Sequence, residues 1–356
     1  MPENLNSMNP SHVFDRLTVC LDMAGCPNRC LHCWLGHGPN GRFSTEDLAW
    51  TARQFRPFAR SLEVFSWYRE PDFRADYRAL WELERSLSDA KTPHFELMST
   101  WRAARDADYI PWLEGLGVRA VQLTFFGGRA VTDRYTGRIG AYDEMVSLIE
   151  PLRRHGILPR FQVFMNQENI DQMGEIVQLA RRTGLADEPA FRAFVHAGSC
   201  DGANEALYPI RVTPEDVQRL PEPLVLWTEE HLKRPISEVF GRTEAEWMKR
   251  LLDDSRPIGS PLEGPAVLYV DADWDVYPNV TAPRPAWRLG NLRADGAQTV
   301  LRRYREQDTP ALRICREMPV NQLAAACGDA NSQRLFTRGD FLIYLVNRCV
   351  RGRNFY

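Results

Sequence analysis

Three cysteines lie within eight residues near the start of the chain, with the spacing Cys26-x-x-x-Cys30-x-x-Cys33. Three thiolates on one loop can bind three irons of a cubane iron–sulfur cluster, in which four thiolates would bind every iron. The remaining iron would then be open, and an open metal position usually takes part in chemistry. A structural cluster or a zinc site is the alternative interpretation. Zinc usually takes four ligands, often from two CxxC pairs, and this chain has no second CxxC pair.

Six short apolar runs alternate with stretches of helical periodicity over residues 16–195, and the cysteine loop follows the first run. Their spacing of roughly 30 to 40 residues is typical of βα units joined by right-handed crossovers. The runs are Arg16–Leu21, Leu62–Ser66, His94–Met98, Arg119–Phe125, Arg160–Phe164 and Phe191–Val195. The sequence therefore predicts an α/β fold, a partial (β/α)6 TIM-like barrel, whose ligands should lie at the C-terminal ends of the strands.

The periodicity changes after the sixth run. Residues 253–265 carry three prolines and two glycines, and we interpret this segment as a linker. Beyond it, Ala266–Val270 and Trp274–Tyr277 flank a turn and predict a hairpin. We therefore expect a barrel at residues 13–252 and a smaller α+β module at 266–356. Residues 1–12 are polar and are predicted to be a disordered tail rather than a signal peptide.

Composition limits the class of protein. The 356 residues are 44% hydrophobic and 26% charged, which is enough for one large domain and one smaller domain. A net charge of −3 argues against general affinity for nucleic acid, and no apolar run approaches the roughly 18 residues of a membrane span. Eight cysteines in a chain of this length do not form a disulfide scaffold. Reduced cysteines and a cluster predict a cytoplasmic location.

The CxxxCxxC spacing after the first strand of a βα chain resembles the signature of the radical SAM superfamily, and the similarity extends over about Thr18 to Asn291. The resemblance implies that Cys26, Cys30 and Cys33 hold a [4Fe–4S] cluster, whose open iron binds the amine and carboxylate of S-adenosylmethionine (SAM). It also implies reductive cleavage of SAM to a 5′-deoxyadenosyl radical, with a flavodoxin or ferredoxin as the usual reductant.

The segments after the second and third runs resemble SAM-binding segments of the family. Glu70 matches the glutamate of the family's Gly-Gly-Glu-Pro, which holds the methionine amine, whereas Tyr68 and Arg69 replace the glycines that let a backbone approach a ligand. A surface glutamate in a loop is the alternative. Ser99 and Thr100 resemble the segment that contacts the ribose, since hydroxyls suit a sugar, and a helix N-cap is the alternative.

Two arginines follow the fourth run, in a stretch similar to that of radical SAM enzymes with a C-terminal SPASM or twitch domain. An arginine is the natural clamp for the methionine carboxylate. Arg129 and Arg138 are both candidates, because sequence alone does not choose between them. An exposed surface charge is the alternative for either arginine.

Further residues are implied by their place near the predicted strand ends. His32 occupies the position at which relatives carry an aromatic residue against adenine, and Trp34 could share this role. Gln162 and Asn166 could bind adenine or substrate, or cap the next helix. Cys200 follows the sixth run, where a thiol could return a hydrogen atom to a substrate radical, although free cysteines are more often buried small hydrophobes.

The segment from Gly264 to Arg293 resembles a SPASM or twitch half-module. The family normally has a cysteine after Tyr-Pro as a ligand of an auxiliary cluster, and this chain has Asn279 there. An amide is a poor ligand for iron–sulfur clusters, so we interpret the module as degenerate. The alternative is that an auxiliary cluster is rebuilt from some of Cys200, Cys315, Cys327 and Cys349.

The sequence therefore predicts a radical SAM enzyme that abstracts hydrogen from a polar small molecule, such as a sugar, aminocyclitol or nucleoside of a biosynthetic pathway. Its reaction would be epimerisation, dehydrogenation or dehydration. Since the chain begins almost at the first strand, we expect no leader-peptide-binding domain, and we expect no cobalamin-binding domain either. Modification of a ribosomal peptide or protein is the first alternative, and a non-catalytic iron–sulfur or zinc protein is the second.

Overall fold

A computed structural model describes residues 13–199 and 201–352, so the predicted tail at 1–12 lies outside the described residues. The strands are β1 Phe14–Leu21, β2 Ala59–Phe65, β3 Ala120–Phe125, β4 Leu158–Phe164, β5 Ala193–His196, β6 Arg242–Thr243, β7 Ala266–Val270, β8 Asp275–Pro278, β9 Gly290–Asn291 and β10 Leu335–Phe336. The α-helices are α1 Thr45–Phe55, α2 Tyr77–Leu87, α3 Thr100–Ala103, α4 Tyr109–Gly115, α5 Arg129–Thr136, α6 Ala141–Arg154, α7 Met173–Arg182, α8 Pro214–Gln218, α9 Glu222–Leu232, α10 Ile236–Phe240, α11 Glu244–Leu251, α12 Gly296–Glu306, α13 Pro310–Glu317, α14 Val320–Cys327 and α15 Arg338–Gly352. None of the described helices has the length and apolar character needed to cross a membrane.

The parallel strands lie in two principal sheets. In the first sheet, β1 pairs in parallel with β2 on one side and with β7 on the other, and β8 and β9 follow as antiparallel neighbours. In the second sheet, β3, β4 and β5 are parallel neighbours. Helices connect successive parallel strands, so the predicted fold class, an α/β fold with a partial (β/α) barrel, is confirmed.

The prediction of a third strand at His94–Met98 is wrong. This segment is extended chain, linked to β3 by a backbone hydrogen bond from the Gln122 N–H to the Glu96 carbonyl at 3.0 Å. Two of its polar side chains are held by ion pairs, since His94 meets Asp72 at 2.8 Å and Glu96 meets Arg160 at 2.7 Å. These contacts fix the segment between the two sheets without a continuous hydrogen-bond ladder.

Strand β7 follows the predicted linker but joins the first strand of the barrel. In the β1–β7 ladder, Leu17 faces Ala266 and Leu21 faces Val270. Leu17, Leu21 and Leu268 are fully buried and belong to one hydrophobic core. The chain after residue 266 is therefore attached to β1 by backbone hydrogen bonds, and the domain boundary at 253–265 stays a prediction.

Local sequence accounts for α1, the helix after the cysteine loop. The Ser44 hydroxyl accepts the Asp47 N–H at 3.2 Å, and the Asp47 carboxylate accepts the Ser44 N–H at 2.9 Å. This reciprocal capping box satisfies two N–H groups that a helix start otherwise leaves unpaired. Leu48 and Phe55, seven residues apart on one face of this helix, are fully buried.

Glu84 is a buried carboxylate that connects α2 to the end of β2. It is 4% exposed, and its Oε1 accepts the Ser66 N–H at 2.6 Å. Burial raises the pKa of Glu84 from 4.5 to about 7, although the hydrogen bond from Ser66 opposes the rise. Because the folded pKa lies above the ordinary value, the folded state binds the proton more tightly than the unfolded state does. The contribution of Glu84 to stability is therefore lost as the pH rises from about 4.5 through about 7.

We expect Glu84→Gln to be more stable than the wild type at pH 8, by roughly 3 kcal/mol, with the difference shrinking as the pH falls towards 5. The glutamine oxygen can still accept the Ser66 N–H, while the buried charge is removed. Urea unfolding of the two proteins between pH 5 and pH 8 measures the difference. A stability difference that does not change with pH would contradict the raised pKa.

Candidate active site at the carboxyl ends of the strands

A cavity of about 690 Å³ opens where the parallel strands end. The cysteine loop after β1 forms one wall, and Glu70 after β2, His196 at the end of β5 and Asn279 after β8 contribute to the others. Ligands of βα barrels bind at this end of the strands. The cavity is therefore the candidate active site.

Cys26, Cys30 and Cys33 all line this cavity, and none of them forms a disulfide. Burial raises the pKa of each thiol, in Cys30 to about 12. Such thiols become thiolate ligands when a cationic cluster replaces their protons. Among the described residues, no three or more His, Cys, Asp or Glu side chains lie close enough together to bind one metal ion. The three cysteines of an iron–sulfur cluster, in contrast, each bind a different iron. Three thiols on one wall therefore fit a cluster better than a mononuclear metal.

Two glycines allow the cysteine loop to lie close to its neighbours. Gly137 follows α5 with φ +65°, and a Cβ on it would lie 2.8 Å from the carbonyl oxygen of Arg29. Gly202 has φ +59°, and a Cβ on it would lie 2.5 Å from the carbonyl oxygen of Cys33. A positive φ combined with so close an approach requires glycine. The Arg29 N–H also donates to the last carbonyl of α5 at 2.9 Å, and the Cys33 carbonyl accepts the Ala203 N–H at 2.8 Å, so both neighbouring segments hold the loop.

Glu70 lies on the cavity wall beside the cysteines. Its Oε1 accepts the Ser99 hydroxyl at 2.6 Å, and the Cys26 Sγ lies 3.4 Å from its Oε2. Its backbone N–H donates to the Gly25 carbonyl at 3.2 Å. Burial raises the pKa of Glu70 to about 7, against the hydrogen bonds from Ser99 and Cys26. A carboxylate in such a place is suited to a positively charged group of a ligand, which would favour its ionised form.

The two residues that replace the family's glycines are held by segments around the cavity. The Tyr68 ring stacks on Tyr269 of β7 with a centroid distance of 3.8 Å. The Arg69 guanidinium donates to Asp22 at 2.7 Å and to the carbonyls of Gly38 and Pro39. These contacts attach the end of β2 to β7 and to the chain that follows the cysteine loop.

The strands contribute uncharged polar side chains to the inner wall of the cavity. Gln122 and Thr124 on β3 and Gln162 on β4 all line it. Gln162 Oε1 accepts hydrogen bonds from Gln122 Nε2 and from Thr124 Oγ1, the latter at 3.1 Å. Sequence reasoning assigned no role to Gln122 or Thr124. Their alternation with the fully buried Val121 and Leu123 was the signal that could have found them.

A family model for the radical SAM superfamily matches residues 21–180, which include the cysteine loop and strands β2, β3 and β4. Residues 21–180 therefore form a radical SAM domain. Radical SAM enzymes hold a [4Fe–4S] cluster on three cysteines and bind SAM, so these are the cofactors of this chain. Such enzymes also need a reductant and a substrate. A search of curated proteins found no match to the sequence.

Solved structures share the fold of this radical SAM chain. Native anSMEcpe with bound AdoMet has a TM-score of 0.53 and 15% identity, covering 95% of this chain and 98% of that chain. A histidine-tagged form of anSMEcpe with bound AdoMet has a TM-score of 0.54 and 14% identity, covering 95% of each chain. Native anSMEcpe with bound AdoMet and Kp18Cys peptide has a TM-score of 0.51 and 13% identity, covering 95% of this chain and 99% of that chain. At these identities the similarity shows the fold alone.

The two arginines predicted as clamps of the SAM carboxylate lie in different surroundings. Arg138 Nε donates to Asn28 Oδ1 at 2.8 Å, and Arg138 Nη1 pairs with Glu144 at 2.5 Å. Its Nη2 is buried and has no hydrogen-bond partner within the described residues. Arg129 is 67% exposed and pairs with Asp143 at 2.8 Å. Neither guanidinium lines the cavity itself, but Asn28, which holds Arg138, does line it.

His32 and Trp34, predicted to lie against adenine, both line the cavity of this radical SAM enzyme. The His32 ring centroid lies 4.7 Å from that of Phe126 and 4.9 Å from that of Phe164. Burial lowers the pKa of His32 to about 3, so the ring is neutral. Its Nδ1 is buried without a hydrogen-bond partner among the described residues, whereas Trp34 is 37% exposed.

The predicted polar ligands divide between the cavity and its surroundings. Thr100 and Gln162 line the cavity. Ser99 lies behind Glu70, and its hydroxyl also accepts the N–H of Arg102 at 3.2 Å, as an N-cap of the short helix α3 does. Asn166 is 1% exposed and donates to the Tyr135 hydroxyl at 2.7 Å, away from the cavity lining.

The cysteines outside the loop do not line the main cavity in the described part of the chain. Cys200, the predicted hydrogen-atom donor, lies outside the described residues. Cys315 is fully buried in the core. Cys327 and Cys349 line a separate cavity of about 520 Å³ between the C-terminal helices. Asn279 does line the main cavity, and its Oδ1 accepts the Tyr68 hydroxyl at 2.8 Å.

Proposed function

We propose that this radical SAM enzyme abstracts hydrogen from a polar small molecule of the sugar, aminocyclitol or nucleoside type, and that its reaction is an epimerisation, dehydrogenation or dehydration. The observation that carries the proposal is the inner wall of Gln122, Thr124 and Gln162, which lies in the same cavity as the three cysteines. Amides and hydroxyls without charge suit a molecule rich in hydroxyl groups.

The direction of the hydrogen bonds along this wall supports the proposal. Arg160 pairs with Glu96 and donates from Nη2 to Gln122 Oε1 at 3.3 Å. Because arginine has donors and no acceptor, the Gln122 oxygen must accept, and its Nε2 therefore donates to Gln162 Oε1. This order leaves the N–H groups of Gln162 to donate to a ligand. A hydroxyl or carbonyl oxygen of the substrate is the matching acceptor.

His196 contributes a second hydrogen-bond donor, and its partners define which ring nitrogen carries the proton. Its Nδ1 accepts the Gly198 N–H at 3.1 Å, so in the neutral ring the proton is on Nε2. Burial lowers the pKa of His196 to about 4, which keeps the ring neutral at physiological pH. The Nε2 atom is buried and has no partner within the described residues, although His196 lines the cavity. An oxygen of the substrate would satisfy this N–H.

We assign Cys26, Cys30 and Cys33 as the cluster ligands. When bound and reduced, the cluster supplies the electron that cleaves SAM to a 5′-deoxyadenosyl radical, and we expect a flavodoxin or ferredoxin to be its reductant. Glu70 would hold the methionine amine, since it is a carboxylate on the cavity wall beside the cysteines. Arg138 would hold the methionine carboxylate through its unpartnered Nη2.

The adenine would lie against His32, whose neutral ring offers a flat surface beside Phe126 and Phe164. Phe126 and Phe164 are at most 1% exposed, so this side of the site excludes water. Trp34 would close the exposed side, and Thr100 would contact the ribose. Exclusion of water protects a reactive radical from side reactions.

We infer that the C-terminal segment is a degenerate SPASM or twitch module without an auxiliary cluster. Asn279 would not ligate iron, and its oxygen accepts a hydrogen bond from Tyr68. Without a second cluster to accept an electron from the substrate radical, a redox-neutral epimerisation or dehydration is easier to explain than a dehydrogenation. Cys200 stays the predicted hydrogen-atom donor for an epimerisation.

Arg138→Lys is expected to weaken SAM binding about tenfold, because a lysine ammonium keeps the charge but cannot pair with Asn28 and Glu144 and also present a separate nitrogen, like Nη2, to the SAM carboxylate. Equilibrium dialysis of reconstituted protein with SAM measures the change. Arg129→Lys is the matched control, since Arg129 also pairs with one acid but is exposed. Equal SAM affinities of the two variants would contradict the choice of Arg138.

The substrate class can be tested by the formation of 5′-deoxyadenosine. Reconstituted protein, reduced with dithionite, is given SAM and either the ultrafiltrate of an extract of the source cells or the peptides and proteins that the filter retains. We expect the ultrafiltrate to increase 5′-deoxyadenosine formation. An increase with the retained fraction alone would favour the peptide alternative, and no SAM cleavage under any condition would favour a non-catalytic protein.

A substitution on the inner wall separates substrate binding from SAM cleavage. Gln162→Leu should lose the increase caused by the ultrafiltrate and keep the cleavage of SAM that occurs without substrate. If Gln162→Leu instead weakened SAM binding itself, the assignment of this wall to the substrate would be wrong.

A further inference from the structure

Asp72, two residues after Glu70, has an unusual backbone conformation. Its φ is +60°, in the left-handed region that residues other than glycine adopt at a cost in free energy, and which aspartate tolerates better than most. Its side chain is 9% exposed. The carboxylate accepts the Tyr109 hydroxyl at 2.6 Å and meets His94 Nε2 at 2.8 Å. Two partners from other elements therefore hold Asp72 in this conformation.

The protonation of His94 follows from its partners. His94 Nδ1 lies 2.8 Å from the Phe95 carbonyl oxygen, which can only accept, so Nδ1 carries a proton. His94 Nε2 faces the Asp72 carboxylate, and a ring that donates from both nitrogens is an imidazolium. Burial by itself lowers the pKa of His94, but the hydrogen bond and charge of Asp72 raise it above the ordinary value. The His94 side chain is 3% exposed, so Asp72 and His94 form a buried ion pair.

This ion pair is connected to Glu70 by two hydroxyl groups. The Tyr109 hydroxyl, which donates to Asp72, accepts the Ser99 N–H at 3.2 Å. The Ser99 hydroxyl donates to Glu70 Oε1 at 2.6 Å. Ser99 and Tyr109 are both fully buried, so no water competes for these bonds from the surface. The path runs from His94 through Asp72, Tyr109 and Ser99 to the carboxylate on the cavity wall.

We propose that Asp72, His94 and Tyr109 are positioning residues, which fix the Glu70 carboxylate in the orientation that binds the SAM amine. The inference rests on the proposed role of Glu70 in SAM binding. Tyr109 holds the backbone of Ser99 and thereby the direction of its hydroxyl, while the His94–Asp72 pair holds Tyr109. None of the three residues needs to contact SAM. Residues that hydrogen-bond to a binding residue fix its orientation, and their replacement commonly weakens binding of the ligand.

SAM affinity tests the proposal without knowledge of the substrate. Wild-type protein, Asp72→Asn and Tyr109→Phe are reconstituted with the cluster, and SAM binding is measured by equilibrium dialysis and by the change that SAM causes in the electron paramagnetic resonance spectrum of the reduced cluster. We expect each variant to bind SAM about tenfold more weakly. Tyr109→Phe keeps the ring and the ion pair, so it provides the test if Asp72→Asn leaves His94 unpaired and prevents folding.

A double-mutant cycle with Glu70→Gln separates positioning from general loss of structure. If Asp72 and Tyr109 act through Glu70, adding Tyr109→Phe to Glu70→Gln should cause little further loss of SAM affinity. Asp76→Asn is the matched control, because it breaks a neighbouring ion pair with Arg74 that has no hydrogen bond to the Glu70 path. It should bind SAM as the wild type does.

The outcomes distinguish the two proposals. If Glu70→Gln weakens SAM binding but folded Tyr109→Phe and Asp72→Asn bind SAM normally, the positioning network is overturned and the role of Glu70 stands. Full additivity of Tyr109→Phe with Glu70→Gln would also overturn the network. If Glu70→Gln itself binds SAM normally, the proposed role of Glu70 is wrong. The proposed positioning role of Asp72, His94 and Tyr109 is then wrong as well.

Discussion

Replacement of Cys26, Cys30 and Cys33 together by alanine is expected to remove the iron–sulfur cluster and abolish SAM cleavage. The three thiols line one wall of the cavity, and no other thiol of the described residues lines it to take their place. Without thiolate ligands no cluster can be held and no electron can reach SAM. Iron and sulfide per chain, measured after anaerobic reconstitution, should fall from about four to none.

Cys349→Ala is the matched control for the cysteine variant. Cys349 is a buried thiol of α15 whose Sγ contacts the sulfur of Met318 at 4.0 Å, and it does not line the main cavity. This variant should keep the iron and the SAM cleavage of the wild type. About eight irons in the wild type, with half retained in the triple variant, would contradict the degenerate module and favour dehydrogenation. One tightly bound zinc and no iron would contradict the cluster.

Glu70→Gln is expected to weaken SAM binding roughly a hundredfold, because a charge-assisted hydrogen bond to the SAM amine is lost and an amide N–H can turn towards that amine. The carboxylate lies on the cavity wall 3.4 Å from the Cys26 sulfur, and no other Asp or Glu of the described residues lines this cavity. Equilibrium dialysis of reconstituted protein with SAM measures the loss. Iron content should stay at the wild-type value, since Glu70 is not a cluster ligand.

The control for Glu70 is Glu84→Gln. Both carboxylates have a pKa raised to about 7 by burial, but Glu84 faces the Ser66 backbone and not the main cavity. Glu84→Gln should therefore change stability with pH and leave SAM affinity unchanged. Similar losses of SAM affinity in both variants would mean that buried charge in this region, rather than contact with the ligand, controls binding.

Sequence patterns formed by residues close together in the chain correctly predicted the local structure of this enzyme. The CxxxCxxC spacing identified the family, because three ligands on one loop lie close whatever the rest of the fold does. The capping box of Ser44 and Asp47 at the start of α1 is likewise a contact between near neighbours in the chain. Runs of apolar residues predicted β1, β2, β3, β4 and β5, since a buried strand needs an apolar face.

The sequence by itself therefore determined the cluster loop, the family and the α/β class, whereas the tertiary structure decided which polar side chains surround the cavity. The extended segment at 94–98 has apolar residues but is held by ion pairs with distant partners, which periodicity does not reveal. Arg138 and Arg129 look alike in sequence, and the contact with Asn28, 110 residues away, distinguishes them. The path from His94 to Glu70 likewise joins residues of separate elements. Such contacts depend on how strands and helices pack, and packing brings together residues whose chain separation carries no periodic signal.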